Sequence, residues 1–255
     1  QEAFAKALQI DPGSAEAYLH IGHKFYDETK WDSALTYYDK AVSYFSKRRE
    51  NSLKIVLAKA PALNAEEVEK ELVGLQLADK KDELNEYVKK VLLRDGGIGE
   101  ISKQLESLVN AYVNMITLYF RAAACAYNLA KFNEASIYFE KLLKVDPENR
   151  DGLYYYGQIL VTQKDFKKAI EIFSQIVKLN PKDKDGLFSL GYAYLLLKDY
   201  DKAIEVFEEQ YLPLNPENAN AWVNLGLAYK YKGNAKKAYE CIKKAEELEK
   251  RKGPR

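Results

Sequence analysis

AWVNLGLAYKYKGNAKKAYECIKKAEEL, residues 221–248, carries the pattern that decides the fold. It opens as Trp222-x-x-Leu225-Gly226-x-x-Tyr229 and continues with Ala238 and Ile242. The same columns stand upstream as Leu187-x-x-Leu190-Gly191-x-x-Tyr194 and Leu153-x-x-Tyr156-Gly157-x-x-Leu160. Pro147 and Pro181 lie 34 residues apart and Pro216 follows 35 later. Phe139 and Phe173 precede the first two prolines by eight residues, and Phe207 precedes the third by nine. Four residues before each Phe stands Ala135, Ala169 or Ala203.

These columns have a physical reading. Gly and Ala fall where two helices cross closely, and large apolar residues fill the space beside them. Proline ends the second helix, since it lacks an N–H and clashes with the preceding turn. Each unit is then a hairpin, helix A followed by helix B, that buries its remaining apolar face on its neighbour. The pattern resembles the tetratricopeptide repeat (TPR), W-x2-L-G-x2-Y, then A-x3-F, then P, on a 34-residue period. That resemblance implies an all-α, right-handed solenoid of helical hairpins.

By this register, repeats are expected at 116–149, 150–183, 184–218 and 219–252, with a further copy at 15–48 and a tail at 253–255. The 15–48 copy carries Tyr18, Ile21, Gly22, Phe25, Ala34, Tyr38 and Ala41. In the 116–149 copy, Ala122 and Ala123 replace the Leu-Gly pair. The 184–218 copy has one extra residue in EEQYLPLNP, which predicts a bulge in its last turn. The opening QEAFAKALQIDP places Phe4, Ala7 and Pro12 in the helix B columns. Residues 1–14 therefore read as helix B of a truncated preceding repeat, and the chain as cut from a longer repeat protein.

Residues 49–115 interrupt the series as a non-canonical helical insertion. No Gly or Pro lies between Trp31 and Ala60, so helix B of the 15–48 repeat is expected to run on, with Leu53, Val56, Leu57 and Ala60 on its stripe. Asn64-x-x-Glu67 resembles a capping box. Two short helices are expected to follow, one with Val68, Leu72 and Leu75 inward, the next with Leu84, Val88, Val91 and Leu92. From Glu100 to Ala130 a second long helix carries Ile101, Leu105, Leu108, Tyr112 and Met115. The alternative is a pair of degenerate TPRs, because the length nearly preserves the phase.

Composition limits the function classes. Lys and Arg total 39 against 38 Asp and Glu, a formal net charge of +1, so nothing steers the whole chain toward nucleic acid. No apolar run is long enough to insert in a membrane, and the segment reads as soluble, compatible with cytoplasm or periplasm. Cys125 and Cys241 are far apart without a CxxC and read as apolar fillers. The basic KRKGPR end reads as a solvated helix terminus. Asp95-Gly-Gly-Ile-Gly-Glu100 lacks a preceding strand and a following Lys-Ser/Thr, so it is a loop and helix cap and no nucleotide cofactor is implied. Glu16, His20 and His23 share one helical face. They lack the HExxH form and a further ligand, so we expect no metal there and read them as a second inner-face patch. No catalytic constellation stands out, which points away from an enzyme.

In the family that this pattern resembles, helix A side chains line a concave groove that binds a peptide or a partner helix. The resemblance places Phe120, Arg121, Tyr154, Tyr155, Gln158, Phe188, Ser189, Tyr192 and Asn224 in that groove. Aromatic residues supply large, rigid contact area there. The column Phe120-Tyr154-Phe188 is commonly aromatic in such repeats and also reads as structural. Some relatives hold a carboxylate in a clamp of Lys, Arg and Asn. Neither register supplies the cations here, and Asp185 would repel the ligand. The expected role is a non-catalytic scaffold for a protein or peptide ligand. The alternatives are a self-associating subunit of a larger assembly, and the recognition arm of an enzyme whose catalytic domain lies elsewhere.

Overall fold

The structure is a computed structural model and describes residues 2–59, 64, 65, 68 and 98–251. All regular structure among the described residues is helical. The protein is all-α, a TPR-type solenoid of helical hairpins. It divides into two compact units, Gln1–Pro147 and Glu148–Arg255.

In the first unit, the described helices are α1 (Glu2–Ile10), α2 (Ala15–Asp27), α3 (Trp31–Lys59), α4 (Ile98–Asn128) and α5 (Phe132–Val145). α3 runs 29 residues and α4 runs 31. No Gly or Pro stands in α3, and α4 has none after Gly99 in its first turn; their extended portions pack on each other. Val56, Leu105 and Leu108 are fully buried, and Ser52 Oγ donates to Ser107 Oγ at 3.2 Å. Two overlong helices are therefore present. The hairpin expected between them and the glycine loop at 95–97 lie outside the described residues. The exceptions are Asn64, Ala65 and Val68. The Val68 side chain is buried, and its N–H donates to the Asn64 carbonyl at 3.0 Å.

The second unit holds α6 (Arg150–Thr162), α7 (Phe166–Leu179), α8 (Lys184–Leu197), α9 (Tyr200–Ile204), α10 (Ala219–Tyr231) and α11 (Ala235–Arg251). A π-helical segment, Glu205–Tyr211, continues α9. It coincides with the one-residue excess of that repeat. The extra residue widens one turn instead of shifting the register of the next hairpin, and the Leu212 N–H reaches back to the Phe207 carbonyl at 3.0 Å.

Local signals set the helix ends. Ser14, Asn149, Asp183 and Asn218 accept from backbone N–H groups at the starts of α2, α6, α8 and α10. Each A–B turn holds one residue at positive φ: Thr29, Ala130, Lys164, Lys198 and Gly233. The next N–H then closes the turn onto the helix, as Asp165 does on the Leu160 carbonyl at 2.9 Å. Only the last of the five turns uses glycine, at φ +88°. Where helices A and B cross, a Cβ on Gly22 would fall 2.6 Å from the Tyr38 ring, and one on Gly157 2.4 Å from Phe173. Tyr38, Phe173 and Phe207, all at 0% exposure, are the large residues that the small ones accommodate.

Candidate functional site

The A helices of the second unit, α6, α8 and α10, lie side by side, and α8 contacts both others. Their shared exposed face carries Tyr155 at 43% exposure, Tyr192 at 38% and Val223 at 36%. An aromatic or aliphatic side chain this open, on each of three adjacent helices, forms an apolar floor.

Beneath it, polar ties fix the helices to one another. Gln158 Nε2 donates to Ser189 Oγ at 3.1 Å, linking α6 to α8. Ser189 is buried at 5% exposure, so it bridges helices and does not face outward. Phe188 packs edge-on against Phe207 and Tyr211, centroids 5.7 and 5.5 Å away, and serves the core as much as the face. Tyr154 lies under the Arg150 guanidinium, 5.1 Å from its ring centroid, and meets Tyr155 at 5.5 Å. Burial and the nearby Asp185 carboxylate raise the Tyr154 pKa. Asn224 is partly buried on α10.

One end of this face is electrostatically organised. Arg150 Nε and Nη2 donate to Asp183 Oδ2 and Oδ1 at 2.9 and 3.0 Å. Nη2 also donates to Asp185 Oδ2 at 2.7 Å, and Nη1 to Asp151 Oδ1 at 3.0 Å. Asp183, whose side chain is 9% exposed, also caps α8 through the Gly186 N–H at 2.8 Å. Its bonds to Arg150 hold its carboxyl below the usual range, and the carboxylates raise the arginine in turn. Sequence reasoning missed Arg150, Asp151 and Asp183. Their signal was the doublet Asp151-Gly152, which recurs 34 residues on as Asp185-Gly186 at the start of the next helix A.

Phe120 and Arg121 belong to the first unit. Phe120 meets Phe139 edge-on at 6.0 Å, and Arg121 stacks on the Tyr26 ring at 5.0 Å. Within the patch Glu16, His20 and His23, the carboxylate and the imidazoles have different neighbours. Both Glu16 carboxylate oxygens accept from Arg48, Oε2 at 3.1 Å, and this lowers the Glu16 pKa. His20 and His23 stand perpendicular at 6.2 Å. Burial, with Arg121 and His20 nearby, pushes His23 down to about 4, so it is neutral at pH 7. Its Nε2 is buried with no hydrogen-bond partner among the described residues. No group of three or more metal-ligating side chains occurs among the described residues. None of their helices is long and apolar enough to cross a membrane.

A separate cavity of about 480 Å³ lies between the π-helical segment, α10 and α11, walled by Leu212, Trp222, Leu225 and Cys241. Lys237 Nζ sits at its edge, donating to Tyr229 Oη at 2.7 Å and to Glu208 Oε1 at 3.3 Å. None of the residues that the sequence nominated lines this cavity.

Comparison with known proteins agrees with the helical-hairpin fold. The family model "anaphase-promoting complex, cyclosome, subunit 3" matches residues 128–210, and a tetratricopeptide repeat model matches 219–252. No curated protein sequence matches the chain. Among solved structures, YrrB, described as "a TPR protein with an unusual peptide-binding site", is 22% identical with a TM-score of 0.61. That match covers 96% of this chain and 92% of YrrB. The MamA protein is 19% identical at a TM-score of 0.61, covering 93% of each chain. MamA from Desulfovibrio magneticus RS-1 is 25% identical at 0.53, covering 69% of this chain and 98% of that one. With its repeat columns, its helical hairpins and these matches, the chain is a member of the tetratricopeptide repeat superfamily.

Proposed function

We propose that this protein is a non-catalytic interaction scaffold whose second unit holds an extended segment of a partner protein on the exposed face of α6, α8 and α10. The carrying observation is the row Tyr155, Tyr192 and Val223, large side chains left open on three helices that are otherwise tightly packed. Aromatic side chains held in place by a rigid framework offer contact area with little conformational entropy left to lose. The described peptide-binding site of YrrB, a protein of this fold, supports the same use. The 128–210 match to a family named for a subunit of a large complex favours a second reading, in which the chain is an assembly subunit.

The test is selection of random dodecamer peptides displayed on phage. The baits are the wild type, Tyr155→Ala/Tyr192→Ala, and Tyr239→Ala as an exposed control on α11. The scaffold reading expects enrichment by the wild type and the Tyr239 variant and its loss in the double variant. Equal enrichment by all three would place binding elsewhere. Sedimentation of the wild type across concentrations addresses the second reading, which requires mass to rise with concentration.

A further inference from the structure

Resting on the groove reading above, we infer that the segment held on this face carries a lysine or arginine beside its apolar residues. The cation seats on Asp151 and Asp185, while the apolar side chains lie on Tyr155, Tyr192 and Val223. A face of this kind selects its occupant by what its apolar floor borders. Here the border is one guanidinium among three carboxylates.

Asp183 is nearly buried and fully used, between Arg150 and the Gly186 N–H. Asp151 and Asp185 are different. Their side chains are 63% and 65% exposed, and each gives Arg150 a single oxygen. Asp151 Oδ2 and Asp185 Oδ1 have no partner among the described residues. The same guanidinium holds both carboxylates, so two outward acceptors are fixed near one another before any ligand arrives. This is the preorganisation that makes a charge-assisted bond specific.

The surrounding cations do not satisfy the pair. Lys182 and Lys184 are exposed in the same turn, yet neither forms an ion pair with these carboxylates. The other exposed cation on this row of helices, Lys230, lies at the far end of α10, in its last turn. An acidic segment would therefore meet two like charges at the α6–α8 end, whereas a basic residue there completes the coordination of both. Tyr154 connects the two parts. It lies beneath Arg150, within the influence of Asp185, and touches Tyr155 of the apolar floor.

The experiment reads the composition of the selected dodecamers and adds Asp151→Asn/Asp185→Asn as a bait, which keeps side-chain oxygens for Arg150. Circular dichroism and Trp222 emission first establish that each bait is folded. The wild type is expected to enrich Lys or Arg close to apolar residues. The Asn variant should keep the apolar preference and lose the basic one. A synthetic copy of the best wild-type peptide should bind the Asn variant roughly five- to tenfold more weakly, and added salt should shrink that difference. Selected peptides that are neutral or acidic, or a basic preference that survives in the Asn variant, would overturn this inference and leave the groove reading standing. Absence of enrichment, or enrichment indifferent to Tyr155→Ala/Tyr192→Ala, would overturn both.

Discussion

Substituting Gly157 by alanine should destabilise the second unit, although alanine is the better helix former. A Cβ at this position falls 2.4 Å from Cε1, 2.6 Å from Cζ and 2.9 Å from Cδ1 of Phe173. Carbon pairs pack best at about 3.5–4.0 Å, so the ring must retreat by about 1 Å. Phe173 is at 0% exposure, with Ala169, Ile172 and Ile176 buried on the same helix, and has no open side to retreat into. Overpacking of this kind costs about 1–3 kcal/mol, and this contact belongs at the upper end. Alanine's helix propensity returns about 1 kcal/mol, leaving a net loss of about 2 kcal/mol.

The cause can be isolated in a double-mutant cycle with Phe173→Leu, which removes the two nearest ring atoms. In the leucine background, Gly157→Ala should be neutral or stabilising. The chain's two tryptophans make the assay local, since Trp31 lies in the first unit and Trp222 in the second. Urea unfolding followed by Trp222 emission, in a Trp31→Phe background, reports the relevant unit. If Gly157→Ala stabilises the wild type, or costs the same in both backgrounds, close helix crossing is not why glycine stands there. The first unit carries alanine in this column, and Ala123 is fully buried there.

Three further predictions concern the turns, pH and the thiols. Lys198 sits at φ 68°, so Lys198→Gly should stabilise by about 0.5–1 kcal/mol, whereas Gly233→Ala, at φ +88°, should cost about 1 kcal/mol; Trp222-detected urea midpoints check both. His23 titrates near 4 when folded and near 6.5 when unfolded, so the unfolded chain takes up the proton first. First-unit stability should fall as pH drops from about 6.5 to about 4, and His23→Gln should remove that component in Trp31-detected unfolding at pH 7.5 and 4.5. Arg121 and His20 oppose protonation and Asp27 favours it, so Arg121→Gln should flatten the same slope in part. Burial raises the Cys125 thiol to about 12 and the Cys241 thiol to about 11, so both should resist a disulfide reagent at pH 8 until urea unfolds their unit.

Much of the architecture was legible because the signals were local. No Gly or Pro stands from residue 31 to 60, where α3 runs Trp31–Lys59, and the repeat columns announce helical hairpins, the fold class found. The surplus residue in EEQYLPLNP pointed to a bulge, and a π-helical segment occupies that place. The site was less legible, because its decisive contacts join residues far apart in sequence. Helical spacing put Glu16 beside the two histidines, but Arg48 on α3 takes its carboxylate. Ser189 occupies an inner column, yet Gln158 draws it into the packing between α6 and α8. Phe188 is half a core residue because Phe207 and Tyr211 reach it from the helix behind. Arg150 looked like any helix-start arginine until the fold brought Asp183 and Asp185 to it from the start of α8.

The most direct test of the account is the dissociation constant of the best selected peptide for three proteins, measured by titration calorimetry. These are the wild type, Tyr155→Ala/Tyr192→Ala and Tyr239→Ala. The double substitution should weaken binding by about tenfold or more, as truncation of central aromatic contacts does, while Tyr239→Ala should change nothing. Binding that is unchanged in the double variant, or equally weakened by Tyr239→Ala, would contradict it.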